Sequence, residues 1–223
     1  VRVADLLPGH LAQVWQRGHS PRTPGDGWYR ITNRAGDDER TIVDLYDEIG
    51  LFGIAPAQFV RDLRAIDTPV IELHINSPGG IIYDGLTIYN ALMDHPARVE
   101  SIVDGIAASA ASWVFQAAAL RSMNRHTEMF IHDGLALTIG NEDDHLRMAA
   151  DLGRLSDTIA GIYAGRAGGT VDGWRAAMLA ETTYTAQDAV DAGLADEVLG
   201  GLASDSRVAE RARARANLLE RIF

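Results

Sequence analysis

The chain contains no cysteine. That excludes disulfides, thiolate metal sites and a cysteine nucleophile. It fits a reducing compartment, so a cytoplasmic location is expected. Positive charge is also scarce: 20 Lys and Arg stand against 31 Asp and Glu, a formal net charge of −11. A field of that sign repels phosphate backbones, so nucleic acid is not an expected partner. The one basic run, "RVAERARARANLLERIF" at 207–223, reads as a solvated amphipathic helical tail, with an interaction arm as the alternative. No apolar run reaches the ~20 residues that a membrane span needs. Asp5 interrupts the apolar stretch that a secretory signal would require. Aromatic residues are dispersed and offer no stacking platform for bases. There is no Gly-Lys-Ser/Thr phosphate loop and no Rossmann glycine fingerprint, so no nucleotide cofactor is expected. The acids of "NEDDH" (141–145) point different ways around a helix and read as solvated surface, so no metal is expected either.

What the chain does have is an alternation of strand-like and helix-like segments. Residues 1–27 carry Pro8, Pro21 and Pro24 and read as an N-terminal extension, linker or propeptide. A single domain is expected over 28–201, with the helical tail at 202–223. Within the domain, "ERTIVDLYDEI" contains a β-rich segment and "PVIELHIN" (69–76) alternates as a strand does. "RVESIVD" (98–104) and "HTEMFIH" (126–132) read as further strands. Helical patterns cover 55–66, with Phe59, Leu63 and Ile66 on one side, and 82–95, with Leu86, Tyr89, Leu92 and Met93 on one stripe. A long amphipathic helix is expected over 141–169. Asn141 is its N-cap with Asp144 three residues on, and its stripe runs through Leu146, Ala149, Leu152, Leu155, Ile159 and Ile162. Two short helices and a closing strand, "LADEVL", follow. Such repetition implies an α/β fold with mainly parallel strands, and ligand chemistry just beyond the strand ends.

Three turns leave strands in this reading: "NSPGG", "DGIAAS" and "HDG". The second opens an almost uncharged stretch, "VDGIAASAASWVFQAAAL" (103–120), with two serines three positions apart among seven alanines. If a helix starts at Ser109, its Oγ lies among free N–H groups at the positive end of the helix dipole. The Ala110 amide would then face a developing oxyanion, and Gly79 and Gly80 supply further unshielded amides. Ser112 is the rival nucleophile, but three residues into a helix a serine usually bonds back to the preceding turn. His132, at the end of "MFIH", is the candidate base; a structural histidine is the plain alternative. His10, His19, His74, His95, His126 and His145 read as loop, surface or strand residues. For an orienting acid, spacing leaves Glu181, Asp188, Asp191 and Asp196 open.

Taken together, "INSPGG", "GIAASAAS", "MFIHD" and "ETTYTAQDAVDAGLADEVL" resemble, in order and spacing from residue 42 to 200, the Clp-type serine peptidases. "YDEIG", "SPGGIIYDGLTIYNAL" and "VDGIAASAAS" resemble in particular the Clp-like head maturation proteases of phages and prophages, which cut capsid or scaffold proteins during prohead assembly. The resemblance implies a spiral of repeated β-β-α units shared with the crotonases, assembled as homo-oligomeric or stacked rings with the long helix between rings. It implies Ser109 as nucleophile, His132 as base and Glu181 where the family usually has aspartate. Gly80 and Ala110 then match the oxyanion amides, with Gly79 beside them. Ile81, Ile82, Gly134 and Leu135 match the strands that clamp an extended polypeptide substrate. The chain departs from the family in that glutamate, in lacking a proline after His132, and in an N-terminal segment unlike the axial loops of host peptidases. The expected activity is therefore ATP-independent serine endopeptidase action on a capsid or scaffold protein. The alternatives are a non-catalytic ring-forming assembly protein, a general Clp-like peptidase of the host, and a crotonase-type acyl-CoA enzyme.

Overall fold

The computed structural model describes residues 29–33, 40–50 and 56–200, together with residues 9, 12 and 13. The expected extension and tail therefore lie almost wholly outside the described residues. Among the described residues, eight strands form one sheet: β1 (Tyr29–Asn33), β2 (Arg40–Tyr46), β3 (Val70–Ser77), β4 (Arg98–Ala108), β5 (Leu120–Asn124), β6 (Glu128–Phe130), β7 (Thr183–Thr185) and β8 (Glu197–Leu199). The main order is β1-β2-β3-β4-β5-β8, and β6 pairs with both β4 and β7. All pairings are parallel except β1–β2 and β6–β7. Among the described residues, the helices with described bounds are α1 (Pro56–Arg64), α2 (Ile82–Met93), α3 (Ala110–Phe115), α4 (Glu142–Ala167), α5 (Val171–Leu179) and α6 (Ala186–Asp191). This is the mixed α/β architecture that the alternating pattern implies.

Period-2 patterning decides which face of the sheet is covered. In β3, Ile71, Leu73, Ile75 and Ser77 are buried while Glu72 and His74 stay half-buried. β2 buries Thr41, Val43 and Leu45 in the same way. Each such aliphatic side chain contributes roughly 1.5–3 kcal/mol on burial. α1 closes over them with Phe59, Val60 and Leu63.

Helix faces differ from the expected stripes where small residues allow close approach. α2 turns Gly85, Ile88 and Leu92 inward, and Met93 is 50% exposed. A Cβ on Gly85 would lie 2.9 Å from Trp113 Nε1 and 3.0 Å from Ala110 Cβ, so the missing side chain sets the contact with α3. The Ala-rich stretch is helical only through Phe115, and all six residues of α3 are buried. Gln116 then leaves the helix pattern because its buried amide takes tertiary partners, donating to Leu194 O at 3.1 Å and accepting from Arg121 Nη1 at 2.7 Å. α4 begins with the expected capping box of Asn141 and Asp144. Only its C-terminal half is packed: Leu155, Ser156, Ile159, Ala160 and Tyr163 are buried, whereas Leu146 is 61% exposed and Ala149 is also outside the core.

Candidate active site

The site forms where three parallel strands run out. In the upper half of the sheet β4 leaves β5 and pairs instead with β6, with Ala108 opposite Phe130. Ser109 and His132 follow these strands, so both emerge at the same edge. Between β3 and β4 the register jumps from Ile75↔Val103 to Ser77↔Ala107. The extra β4 residues bulge around Asn76, whose Oδ1 accepts the Ile106 amide at 3.2 Å. A Cβ on Gly105 would lie 2.4 Å from Asn76 Oδ1, so a side chain there would push the Asn76 amide off the Ile106 N–H. Bulges of this kind re-aim a strand end, and here the re-aimed end carries Ser109.

Ser109 has φ 51° and ψ −124°, a left-handed backbone rare for a residue with a side chain. Its N–H donates to Phe130 O at 2.9 Å and its carbonyl accepts the Ser112 N–H at 2.9 Å. Gly79 packs directly beneath: a Cβ on it would stand 2.6 Å from Ser109 Cβ and from Ala110 N. Held this way, Ser109 Oγ lies 2.8 Å from His132 Nε2. The imidazole lies nearly parallel to the Phe130 ring, with centroids 5.4 Å apart and planes 26° apart, which fixes its tilt.

Glu181 follows α5 on a left-handed backbone of φ 52°. β6 and β7 pair antiparallel with Phe130 opposite Thr183, and Ile131 N–H donates to Thr182 O at 3.0 Å. The paired strands themselves stop at Phe130 and Thr183; their register, extended past Ile131 and Thr182, would set Glu181 against His132. The other acids are committed elsewhere. Asp188 caps α6 through Thr185, Asp196 pairs with Arg121 at 2.6 Å, and Asp191 accepts from Gln187.

The glycine pair divides in function. Gly79 N–H donates to Ser77 Oγ at 3.1 Å, so that amide is already engaged. Gly80 is bridged to Ile49 through its neighbours, Gly79 O and Ile81 N, and its own amide takes no part in that bridge. Ala110, the first residue of α3, has no intrahelical acceptor for its amide. Ile81 is extended, with φ −66° and ψ 127°, and 36% exposed. Ile82 opens α2, so a clamping strand does not run through both isoleucines. Gly134 N–H donates to Ser156 Oγ at 3.0 Å, and Leu135, Leu137 and Ile139 beyond it are exposed at 45%, 75% and 92%.

Two contributors were not singled out from sequence. Arg175 on α5 pairs with Asp133, the residue after His132, at 2.8 Å, and also binds Asp157 and Gly153 O. Tyr163 on α4 reaches Ser112 Oγ at 2.6 Å. Isolated polar residues on amphipathic helices carry no pattern that announces a partner far along the chain. Ser112, weighed as a rival nucleophile, is fully buried and bonds back to Ser109 O at 2.6 Å. Among the described residues no group of three or more His, Asp or Glu side chains could hold a metal ion. No described helix is long and apolar enough to cross a membrane.

A mixed α/β sheet with a serine and a histidine in hydrogen-bond contact at adjoining strand ends defines a class of fold and site. A family model described as Clp protease matches residues 39–201, and the chain belongs to that family of serine peptidases. The ATP-dependent Clp protease proteolytic subunit of Bacteroides fragilis is 34% identical over 131 residues, 58% of this chain and 63% of that protein. The subunit of the same name from Bacteroides thetaiotaomicron is 33% identical over 131 residues, covering 58% and 60%. That of Chlorokybus atmophyticus is 29% identical over 158 residues, covering 70% and 69%. The chain thus spans less than two thirds of the length of the two Bacteroides relatives.

Proposed function

We propose that this chain is a serine endopeptidase with Ser109 as nucleophile, His132 as general base and Glu181 as the acid that orients the imidazole. The observation that carries this reading is the 2.8 Å contact between Ser109 Oγ and His132 Nε2, made by a serine on a strained backbone at a strand end. His132 takes the hydroxyl proton as Oγ attacks the scissile carbonyl, then gives it to the leaving amine; water repeats the sequence to release the acyl group. The Gly80 and Ala110 amides hold the oxyanion, each such donor stabilising the transition state by about 3–4 kcal/mol. An extended substrate lies between Ile81 and the segment after His132. Backbone pairing of that sort reads main chain more than side chain, so sequence preference is modest. Gly134 and Leu135 begin that second rail. No backbone hydrogen bond within the protein engages Leu135–Ile139 among the described residues, which leaves this stretch open to an added strand.

The substrate class is polypeptide. The phage-like wording of "YDEIG" and "SPGGIIYDGLTIYNAL" favours a capsid or scaffold protein processed during prohead maturation, by a homo-oligomeric ring and without ATP. Coexpression with a phage capsid or scaffold protein, followed by mass spectrometry of the trimmed ends, tests it. Trimming that Ser109→Ala abolishes is the expected result. Trimming that survives Ser109→Ala overturns the assignment.

A second reading, a general Clp-like peptidase of the host, is favoured by the relatives, which are named as ATP-dependent proteolytic subunits. Under it, folded proteins are degraded only when a separate ATPase is supplied. Under the first reading, the purified ring cuts its substrate alone.

A further inference from the structure

We propose that Ser112 and Tyr163 form a buried hydroxyl relay that positions the oxyanion-binding amide, a role that rests on reading Ser109 as the nucleophile. Ser112 Oγ lies 2.6 Å from Ser109 O and 2.6 Å from Tyr163 OH. A serine hydroxyl has one proton. A carbonyl can only accept, so that proton goes to Ser109 O, and Tyr163 must donate to Ser112 Oγ. The order is therefore Tyr163 O–H to Ser112 O–H to the Ser109 carbonyl. Both side chains are shut away from water, Ser112 at 0% and Tyr163 at 1% exposure. Burial pushes the Tyr163 phenol above its ordinary range, which keeps the donor protonated.

Back-bonding of a helical serine to the preceding turn is ordinary. A second buried hydroxyl, from a helix 51 positions away, is not needed for that. Its consequence follows from peptide planarity. Ser109 C=O and Ala110 N–H belong to one rigid plane and point in opposite directions. Fixing the carbonyl therefore aims the Ala110 amide. Ser109, at φ 51° and ψ −124°, sits in a strained backbone region that persists only when its surroundings over-determine it. Ser109 O receives both the Ser112 amide and the Ser112 hydroxyl, and the tyrosine locks the second of these. Tyr163 is itself packed against Trp174 of α5, with ring centroids 5.6 Å apart, so the relay is anchored on two helices. Ser112 and Tyr163 touch no substrate. They are positioning residues acting through Ser109.

The test uses the full chain with a peptide substrate and a peptide boronate as transition-state mimic, comparing wild type, Ser112→Ala, Tyr163→Phe and the double variant. Ser112→Ala is expected to lower kcat roughly tenfold or more with KM little changed, as a small misplacement of catalytic geometry does. Boronate affinity should fall in parallel. Tyr163→Phe, which keeps the ring and loses one oxygen, should lower kcat severalfold. In the Ser112→Ala background it should lower kcat no further, because the relay is already cut. Unchanged kcat and boronate affinity per folded molecule, with only a lower Tm, overturns the relay, as do two losses that simply multiply. Hydrolysis that depends on Ser109 but is untouched in both single variants removes the relay alone. No Ser109-dependent hydrolysis in wild type removes the peptidase reading and the relay with it.

Discussion

Two histidines in this sheet show how surroundings assign a role to the same side chain. His74 on β3 has a carboxylate at each ring nitrogen, Asp104 at 2.7 Å from Nδ1 and Glu72 at 3.0 Å from Nε2. The hydrogen bond to Asp104, partly offset by burial and reinforced by Glu72, raises its pKa to about 9. At neutral pH it is a cation with both protons committed, and it faces no nucleophile. Its surroundings are a closed set of pairs: Tyr46 and Asn124 also donate to Asp104, and Arg40 joins Glu72 to Glu100. His132 lies one strand end away from Ser109, with a hydroxyl rather than a carboxylate at Nε2 and an aromatic face to hold its plane. An imidazole between two acids is a stabilising ion; an imidazole against a hydroxyl at a strained turn is placed for proton transfer.

That contrast breaks most visibly at the serine and its partner. Ser109→Ala and His132→Ala are each expected to lower kcat by about 10⁴-fold or more with the fold retained, read by steady-state hydrolysis and circular dichroism. Glu181→Gln should follow with a loss of about 10²–10⁴-fold, since the orienting acid is needed but not consumed. A loss within twofold would remove Glu181 from the triad and leave the dyad standing. Arg175→Ala comes next. It frees Asp133 beside His132 and unties α5 from α4, so a severalfold drop in kcat and a lower Tm are expected by the same assay and by thermal melting. Asp133→Asn should reproduce the kcat loss in part.

The smallest effect is expected at His74, and it should be confined to stability. Its pKa is raised on folding above the ordinary 6.5, so its contribution is complete below about pH 6.5 and is lost as pH climbs through about 9. Against burial, hydrogen bonds from His74 hold both Glu72 and Asp104 below the usual carboxylate range. Their contribution is present above about pH 4 and is lost as pH falls below it. His74→Asn should therefore flatten the decline of denaturant stability between pH 6.5 and 9 while leaving kcat at neutral pH unchanged.

The sequence made the strand ends legible because glycines and small residues crowd there for reasons that act locally. The glycine pair of "NSPGG" turns the chain as β3 ends, and His132 closes an apolar run; "GIAA", read as part of a turn, instead continues β4 to Ala108, because the β6 edge pairs with Ile106–Ala108. The long helix announced its start through Asn141 and Asp144, a capping pair that needs only its own turn. What stayed hidden depends on distant partners. β5 was not anticipated because "LRSMN" does not alternate: Arg121 is buried, and only its pairing with Asp196 and Gln116 makes that tolerable. β7 is three residues long and exists because β6 offers an antiparallel edge. On α2 the expected stripe holds at Leu92 and, half-buried, at Leu86 and Tyr89, but not at Met93; Gly85 counts as no hydrophobe in a periodic pattern, yet its bareness decides the approach of α3. Tyr163 lies outside the stripe that the periodicity picks out, and its hydroxyl has meaning only once Ser112 is in place beside it.

The most direct measurement is covalent labelling by a fluorophosphonate, with the modified peptide mapped by mass spectrometry in wild type, His132→Ala and His74→Asn. The expected result is an adduct on Ser109 that forms at the wild-type rate in His74→Asn and is nearly lost in His132→Ala. An adduct on another residue, or one indifferent to His132, would contradict it.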